Sequence, residues 1–364
     1  MAKKDLKEKE NLEKQISVKK VIFPVLIGIV GVFVLLYYQT KDKNIDFSVI
    51  NFSYLTVVFL LVATLFMMLR DLGYIIRFKI LSENKVTWLQ AFRVIMLWEF
   101  ASAISPSAIG GTSVAVVFIH KEGISVGKSA AIVMATSFLD ELYFIIMFPV
   151  MIFIVGPDKL FTIGETSGLT FANQFFYLAI IGYSLKLIYN LFLSYGLFIN
   201  PVIIKKTILA IFSVGFLRRW RKSARRVGLD IINNSKEFKQ KSFSFWLKAG
   251  AATFLSWTAR YWVVNAIFVA FFAMKEGHIL LFAKQLVMWI MMLVSPTPGG
   301  SGFSEYIFSE YLNDFMPQVA GISIITALVW RLFTYYPYLL AGVIIAPRWI
   351  NEKFGKSNKE KNNK

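Results

Sequence analysis

Six apolar runs, each of 18 residues or more, divide this chain: Val21–Gln39, Phe52–Leu69, Ser129–Val155, Phe171–Phe198, Trp246–Ala273 and Val319–Ala346. A helix needs about 20 predominantly apolar residues to cross a ~30 Å hydrocarbon core. Inside that core the backbone must satisfy its own hydrogen bonds. Composition agrees: 56% of the residues are hydrophobic and 17% charged, against roughly 45–50% and about 25% in soluble domains. The sequence therefore predicts an integral membrane protein.

Two further regions are apolar but interrupted. Trp88–Ile119 breaks at Ser105-Pro106-Ser107-Ala108-Ile109-Gly110-Gly111, and Ile279–Tyr311 breaks at Ser295-Pro296-Thr297-Pro298-Gly299-Gly300. Proline removes a backbone donor and glycine loosens a helix, so each region reads as two short helices joined by a non-helical turn. If each returns to its starting side, 31 of the 40 Lys and Arg residues fall on one side: the N-terminal lead, the loops Arg70–Lys85, His120–Lys128 and Pro201–Lys248, and the C-terminal tail. The opposite loops hold only Lys41, Lys43, Lys159 and Lys275. That bias places both termini in the cytoplasm, in a multi-pass protein of the cytoplasmic (inner) membrane. The expected architecture is all-α: six transmembrane helices plus two re-entrant helical hairpins arranged as an inverted repeat. Residues 1–20 form a cytoplasmic lead, 21–346 a single transmembrane domain and 347–364 a cytoplasmic tail. Val21–Gln39 reads as a signal anchor, because Thr40-Lys41-Asp42-Lys43 follows it where a cleaved peptide carries small residues.

The repeat rests on spacing. Arg70 precedes Ser105 by the same 35 residues that separate Arg260 from Ser295, and an offset of 190 also carries Pro106 onto Pro296 and Glu141 onto Arg331. The halves are expected at about 52–155 and 246–346, with the basic loop 201–248 between them. Hairpin mouths on opposite sides give an inverted topology, in which broken helices meet near the midplane.

A charge deep in a bilayer costs about 2.5–3.5 kcal/mol on insertion scales, so those present need partners or water. Arg260, Arg331, Glu99, Asp140, Glu141 and Glu305 lie inside apolar or hairpin segments, and Arg70 stands at the inner end of its span, where snorkelling also explains it. Arginine suits a phosphate because its fork makes two parallel hydrogen bonds. Gly110 and Gly111 before Thr112, and Gly299 and Gly300 before Ser301, would expose N–H groups at the start of a helix, where an anion is favoured. Pro296 and Pro298 shape the second turn. Glu141, Asp140, Glu305 and Glu99 would balance the arginines or carry coupling protons. A structural alternative pairs Glu141 with Arg331 as a buried tie between the halves.

Other chemistry is thin. The chain has no cysteine and only His120 and His278, far apart and beside loops, so no metal site, cofactor or catalytic residue is expected. The net charge of +18 sits between the apolar runs and does not form a nucleic-acid surface. The cluster Arg218-Arg219-Trp220-Arg221-Lys222 with Arg225-Arg226 could attract anionic headgroups, although positive-inside topology explains it as well.

Pro296-Thr297-Pro298-Gly299-Gly300-Ser301-Gly302-Phe303-Ser304-Glu305 resembles the P-T-P-G-G-x-G-x-x-E signature of the lysylphosphatidylglycerol synthase transmembrane (flippase-like) family. Pro106 with Gly110-Gly111, Arg70 with Tyr74, and Arg331-Leu332 with Thr334-Tyr335 also look like its features, and the resemblance spans roughly 20–346. It implies a membrane protein that moves a lipid between leaflets. In the best-known members that lipid is an aminoacylated phosphatidylglycerol, made by a separate soluble domain. Thr112 departs from the aspartate that often follows the first Gly-Gly, and the 18 residues after Ala346 are too few for the soluble domain. The leading expectation is thus a flippase-like transporter of an anionic phospholipid or lipid-linked intermediate, with membrane lipids as partners. A membrane-embedded lipid transferase or glycosyltransferase accessory is the second reading. A non-transporting scaffold for lipid-synthesis enzymes is the third.

Overall fold

The computed structural model describes residues 18–41, 46–50, 52–105, 108–161, 169–211, 213–215, 237–292 and 297–362, together with positions 218, 225, 232 and 295. Among them the principal helices are α1 (Val18–Thr40), α2 (Tyr54–Leu81), α3 (Trp88–Ile104), α4 (Ala108–Lys121), α5 (Val126–Val155), α6 (Pro157–Phe161), α7 (Leu169–Ser194), α8 (Val202–Ile211), α9 (Phe243–Phe272), α10 (His278–Met292), α11 (Phe303–Tyr311), α12 (Ile322–Thr334) and α13 (Tyr336–Asn362). No strand occurs among the described residues.

Five segments are long and apolar enough to cross a bilayer: Tyr54–Leu81, Val126–Val155, Phe176–Ile199, Phe243–Phe272 and Ile322–Phe354. A sixth expected span is represented by the shorter apolar stretch Val25–Thr40 in α1. The outward faces are apolar: Leu61 is 64% exposed, Leu185 60% and Ile188 63%. Such residues are stable there only against hydrocarbon, and the protein is an all-α integral membrane protein.

Polar caps set where the helices begin. Thr87 accepts from the Gln90 amide while the Gln90 side chain accepts from the Thr87 amide, a reciprocal box that starts α3. Ser125 and Ser242 cap α5 and α9 in the same way with one bond each.

The central pair is α2 and α9, packed antiparallel. Thr56 near the start of α2 donates to the carbonyl of Ala270 near the end of α9; Phe66 meets Trp262; the Ser256 hydroxyl donates to the carbonyl of Arg70; Arg77 reaches Thr253. Around this pair stand two broken hairpins. At about 1.5 Å per residue, α3, α4, α10 and α11 run about 26, 21, 23 and 14 Å, all short of a ~30 Å core.

Ion pairs show which ends lie together. Glu83, after α2, meets Lys128 at the start of α5 and Lys241 just before α9, at 2.5 and 2.8 Å. Glu122, after α4, meets Lys353 of α13 at 2.7 Å. The mouth of the α3–α4 hairpin thus shares one end of the molecule with the C-terminal helix and the entry to α9. At the other end Tyr311, closing α11, donates to the carbonyl of Leu160 in α6, and Lys284 of α10 meets Asp314. The α10–α11 hairpin opens there. The tips touch in between: the Gly299 amide donates to the Ser105 carbonyl at 3.4 Å.

Three expectations need correction. Helix α2 continues to Leu81, because packing on α9 and the carboxylate partners of Arg70 and Arg77 carry the helix beyond the apolar run. Arg70 and Arg77 therefore lie within it, buried, and neither snorkels nor belongs to a basic loop. Gly110 and Gly111 belong to the first turn of α4 and not to the non-helical turn before it. Gly111 is there for close approach, since a Cβ would come within 2.0 Å of Ser102 Oγ on α3. The last apolar run is broken at Tyr335, whose φ of −130° and ψ of −57° separate α12 from α13.

Candidate functional site

Where the hairpin tips approach the α2–α9 pair, a cavity of about 340 Å³ opens. Five helices contribute its charged wall: Arg77, Glu99 and Asp140 from α2, α3 and α5, and Arg260 and Arg331 from α9 and α12. Thr112, Gly299 and Gly300 line it too.

Four of these five charges are already engaged. Asp140 accepts from Arg77 Nη1 at 2.5 Å and from Trp257 Nε1 at 2.7 Å. Glu99 accepts from Arg70 at 2.6 Å. Arg331 donates from Nε to Glu305 at 3.1 Å and from Nη2 to the Gly299 carbonyl at 2.8 Å, its guanidinium 3.7 Å from the centre of the Tyr335 ring. Glu305 is fully buried and also accepts from the Gly302 amide, so it fixes both the arginine and the start of α11. Arg260 differs. It lies over Trp289 at 4.8 Å and Trp257 at 5.4 Å, and no carboxylate pairs with it among the described residues.

The second turn is non-helical, as its sequence suggests, but its amides are not open to an anion: those of Gly299, Gly300 and Ser301 donate to the carbonyls of Ser105, Thr297 and Pro298. Gly299, Gly300 and Gly302 have φ of 58°, 72° and 80°, the left-handed region that glycine enters without strain. Tyr335 joins this turn to the first hairpin: its hydroxyl donates to the Ala103 carbonyl at 3.0 Å and accepts from Ser301 at 3.3 Å. Ser301 is thereby buried at the turn, while the Pro298 carbonyl accepts from its amide. Pro296 lies outside the described residues, as does most of the Arg218–Arg226 cluster.

Two expected partners are rearranged. Arg70 is not on the cavity wall; it is 1% exposed behind Glu99, held also by Asp71 at 2.8 Å and flanked by the rings of Tyr74 and Tyr338. Glu141 does not pair with Arg331; it meets Lys186 of α7 at 2.8 Å, away from the cavity. Neighbouring helical residues point about 100° apart, so Asp140 and Glu141 face different partners. Lys186 is buried, with Phe144 4.6 Å below its ammonium, and does not snorkel.

Sequence reasoning missed Arg77 and Asp71. The signal for Arg77 was its spacing: Arg70, Tyr74 and Arg77 stand at i, i+4 and i+7, one helical face. The histidines make local contacts: His120 with the Ile124 carbonyl, and His278 with Asn265 and the face of Trp262. No group of three or more potential metal-ligating side chains occurs among the described residues.

A UPF0104 membrane protein of Archaeoglobus fulgidus is 26% identical over 337 residues, an alignment covering 88% of this chain and 95% of that relative. Residues 21–342 match the family described as the lysylphosphatidylglycerol synthase TM region, at a length that takes in both hairpins, the cavity and every helix through the first turns of α13. With the signature turn, the paired hairpins and the family match covering the same residues, this chain belongs to the lysylphosphatidylglycerol synthase transmembrane-region family.

Proposed function

We propose that this protein is a flippase-like transporter that moves an anionic lipid headgroup between leaflets. The observation that carries this is Arg260, an arginine in the wall of a cavity at the hairpin junction with no carboxylate partner among the described residues. A phosphate supplies what that guanidinium lacks, and two flanking indoles hold the fork in place while leaving its edge free. Arg331, tied to Glu305 and Gly299, positions the second hairpin and offers its remaining donor capacity to the same ligand.

The halves act as an inverted repeat. Helices α2, α3, α4 and α5 recur in order, about 190 residues on, as α9, α10, α11 and α12–α13, and the repeat mates α2 and α9 lie antiparallel. Rocking of one half against the other around a fixed midplane site is the motion such repeats support. With the basic end inside, both termini are cytoplasmic.

The test is translocation of a fluorescent phosphatidylglycerol in reconstituted vesicles. Arg260→Ala is expected to slow it at least tenfold, about 1.4 kcal/mol of lost interaction. Equal rates for the variant and the parent would remove Arg260 from the transport site.

A further inference from the structure

We propose that the cavity takes up one proton when it takes up an anionic headgroup, and that the proton goes to one carboxylate of the Asp71–Arg70–Glu99 cluster. This rests on the reading of Arg260 as the anion site.

The groups around the cluster can be named element by element. From α2 come Arg70, Asp71 and Tyr74, and from α3 comes Glu99. From α13 comes Tyr338, whose hydroxyl donates to Asp71 Oδ1 at 2.8 Å. From α9 come Ser256, which donates to the Arg70 carbonyl, and Arg260 on the cavity wall. The remaining neighbours are neutral as pairs, Arg77 with Asp140 and Arg331 with Glu305. Within this cluster Arg70 faces two carboxylates, at 2.8 and 2.6 Å, which leaves one negative charge in excess. Its buried Nε–H has no acceptor.

The charges of the cavity wall and the cluster behind it balance: the excess charge of this cluster is offset by Arg260. A phosphate on Arg260 cancels that offset. The cluster then holds an uncompensated charge in a low-dielectric interior, where charges act over longer distances than in water. Adding one proton restores neutrality. Glu99 lines the cavity, so cavity water can deliver it: an O–H bond forms on a carboxylate oxygen, and hydronium becomes water. A metal cation is disfavoured, because the Arg70 guanidinium already occupies the space between the carboxylates.

The second half shows that hairpin packing does not require the cluster. Residues 190 positions after Arg70, Asp71 and Glu99 are Arg260, Tyr261 and Trp289. The arginine recurs with an aromatic ring beneath it and no acid. The acid excess belongs to one half and the free cation to the other.

Because the two binding events stabilise each other, the linkage is reciprocal. Calorimetric titration of the detergent-purified full chain with dihexanoyl phosphatidylglycerol, at neutral pH in buffers of different ionisation enthalpy, counts the protons. Uptake of about one proton per headgroup is expected, falling to near zero in Glu99→Gln and in Asp71→Asn, and affinity should rise as pH falls by up to about tenfold per unit. Binding by the parent without uptake overturns the proposal while sparing the anion site. Uptake that persists in both variants, or a sodium requirement in its place, also overturns it. No binding by the parent, or binding unchanged in Arg260→Ala, brings down the anion site itself.

Discussion

The amide of Gly299 donates to the carbonyl of Ser105 at 3.4 Å, so the turns of two hairpins that open at opposite ends of the molecule meet as backbone against backbone. Close contact of this kind leaves no room for a side chain. A Cβ on Gly299 would lie 2.6 Å from the Ala103 carbonyl and 2.5 Å from the Tyr335 ring, at a φ of +58°. Gly299→Ala is therefore expected to destabilise the junction by about 1–3 kcal/mol from backbone strain alone, with the steric clash added. A lowered unfolding temperature in detergent is the measurement. An unchanged one would show that the tips are not in contact.

Asp140 is the partner of a buried arginine, and removing it strands the charge. Asp140→Asn is expected to cost about 3–5 kcal/mol by leaving Arg77 uncompensated. Replacing both residues by apolar ones of similar size should recover much of that. A double-mutant cycle on thermal stability reads the coupling, which should exceed about 0.5 kcal/mol.

Glu141 and Lys186 join α5 to α7 away from the cavity. Lys186→Met alone should destabilise by an amount similar to breaking the other buried pair, about 3–5 kcal/mol. Glu141→Gln combined with Lys186→Met should regain stability and translocate at the parent rate. A well-folded double variant that fails to transport would give this pair a role in coupling.

At the basic end, hydrogen bonds from Lys128 and Lys241 pull the Glu83 carboxyl down from its ordinary 4.5 to about 2. A group whose folded value lies below its unfolded one stabilises the fold above the unfolded value and loses that contribution as pH falls through the folded one. The link between the α2–α3 turn, α5 and the entry to α9 should therefore hold above pH 4.5 and weaken from there toward about 2. Glu83 is largely solvated, so the effect is small. Thermal unfolding across this range should show it, and Glu83→Gln should flatten the dependence.

Much of the fold was legible because hydrocarbon imposes simple demands. Run length predicted the spans, and proline and glycine the breaks. The reading of α2 failed where those demands relax. After Leu69 the run turns polar, yet the helix persists to Leu81 because Arg70 and Arg77 find carboxylates on α3 and α5. Run length alone gives no sign of such partners. Gly110-Gly111 and Gly299-Gly300 look alike in sequence, but one pair packs inside a helix while the other has positive φ. That difference is set by what each faces. The pairing of Glu141 with Lys186 was hidden for a similar reason, since no motif or spacing relates α7 to the two hairpins.

Opposed entry of the two hairpins can be read directly, since the chain contains no cysteine. Single cysteines at Lys85, exposed at the mouth of the first hairpin, and Glu276, exposed at the mouth of the second, would be treated in intact cells with a membrane-impermeant maleimide. Glu276→Cys should react at once and Lys85→Cys only after permeabilisation. Reaction of both from the same side would place both mouths on one face and contradict the architecture from which the transport reading follows.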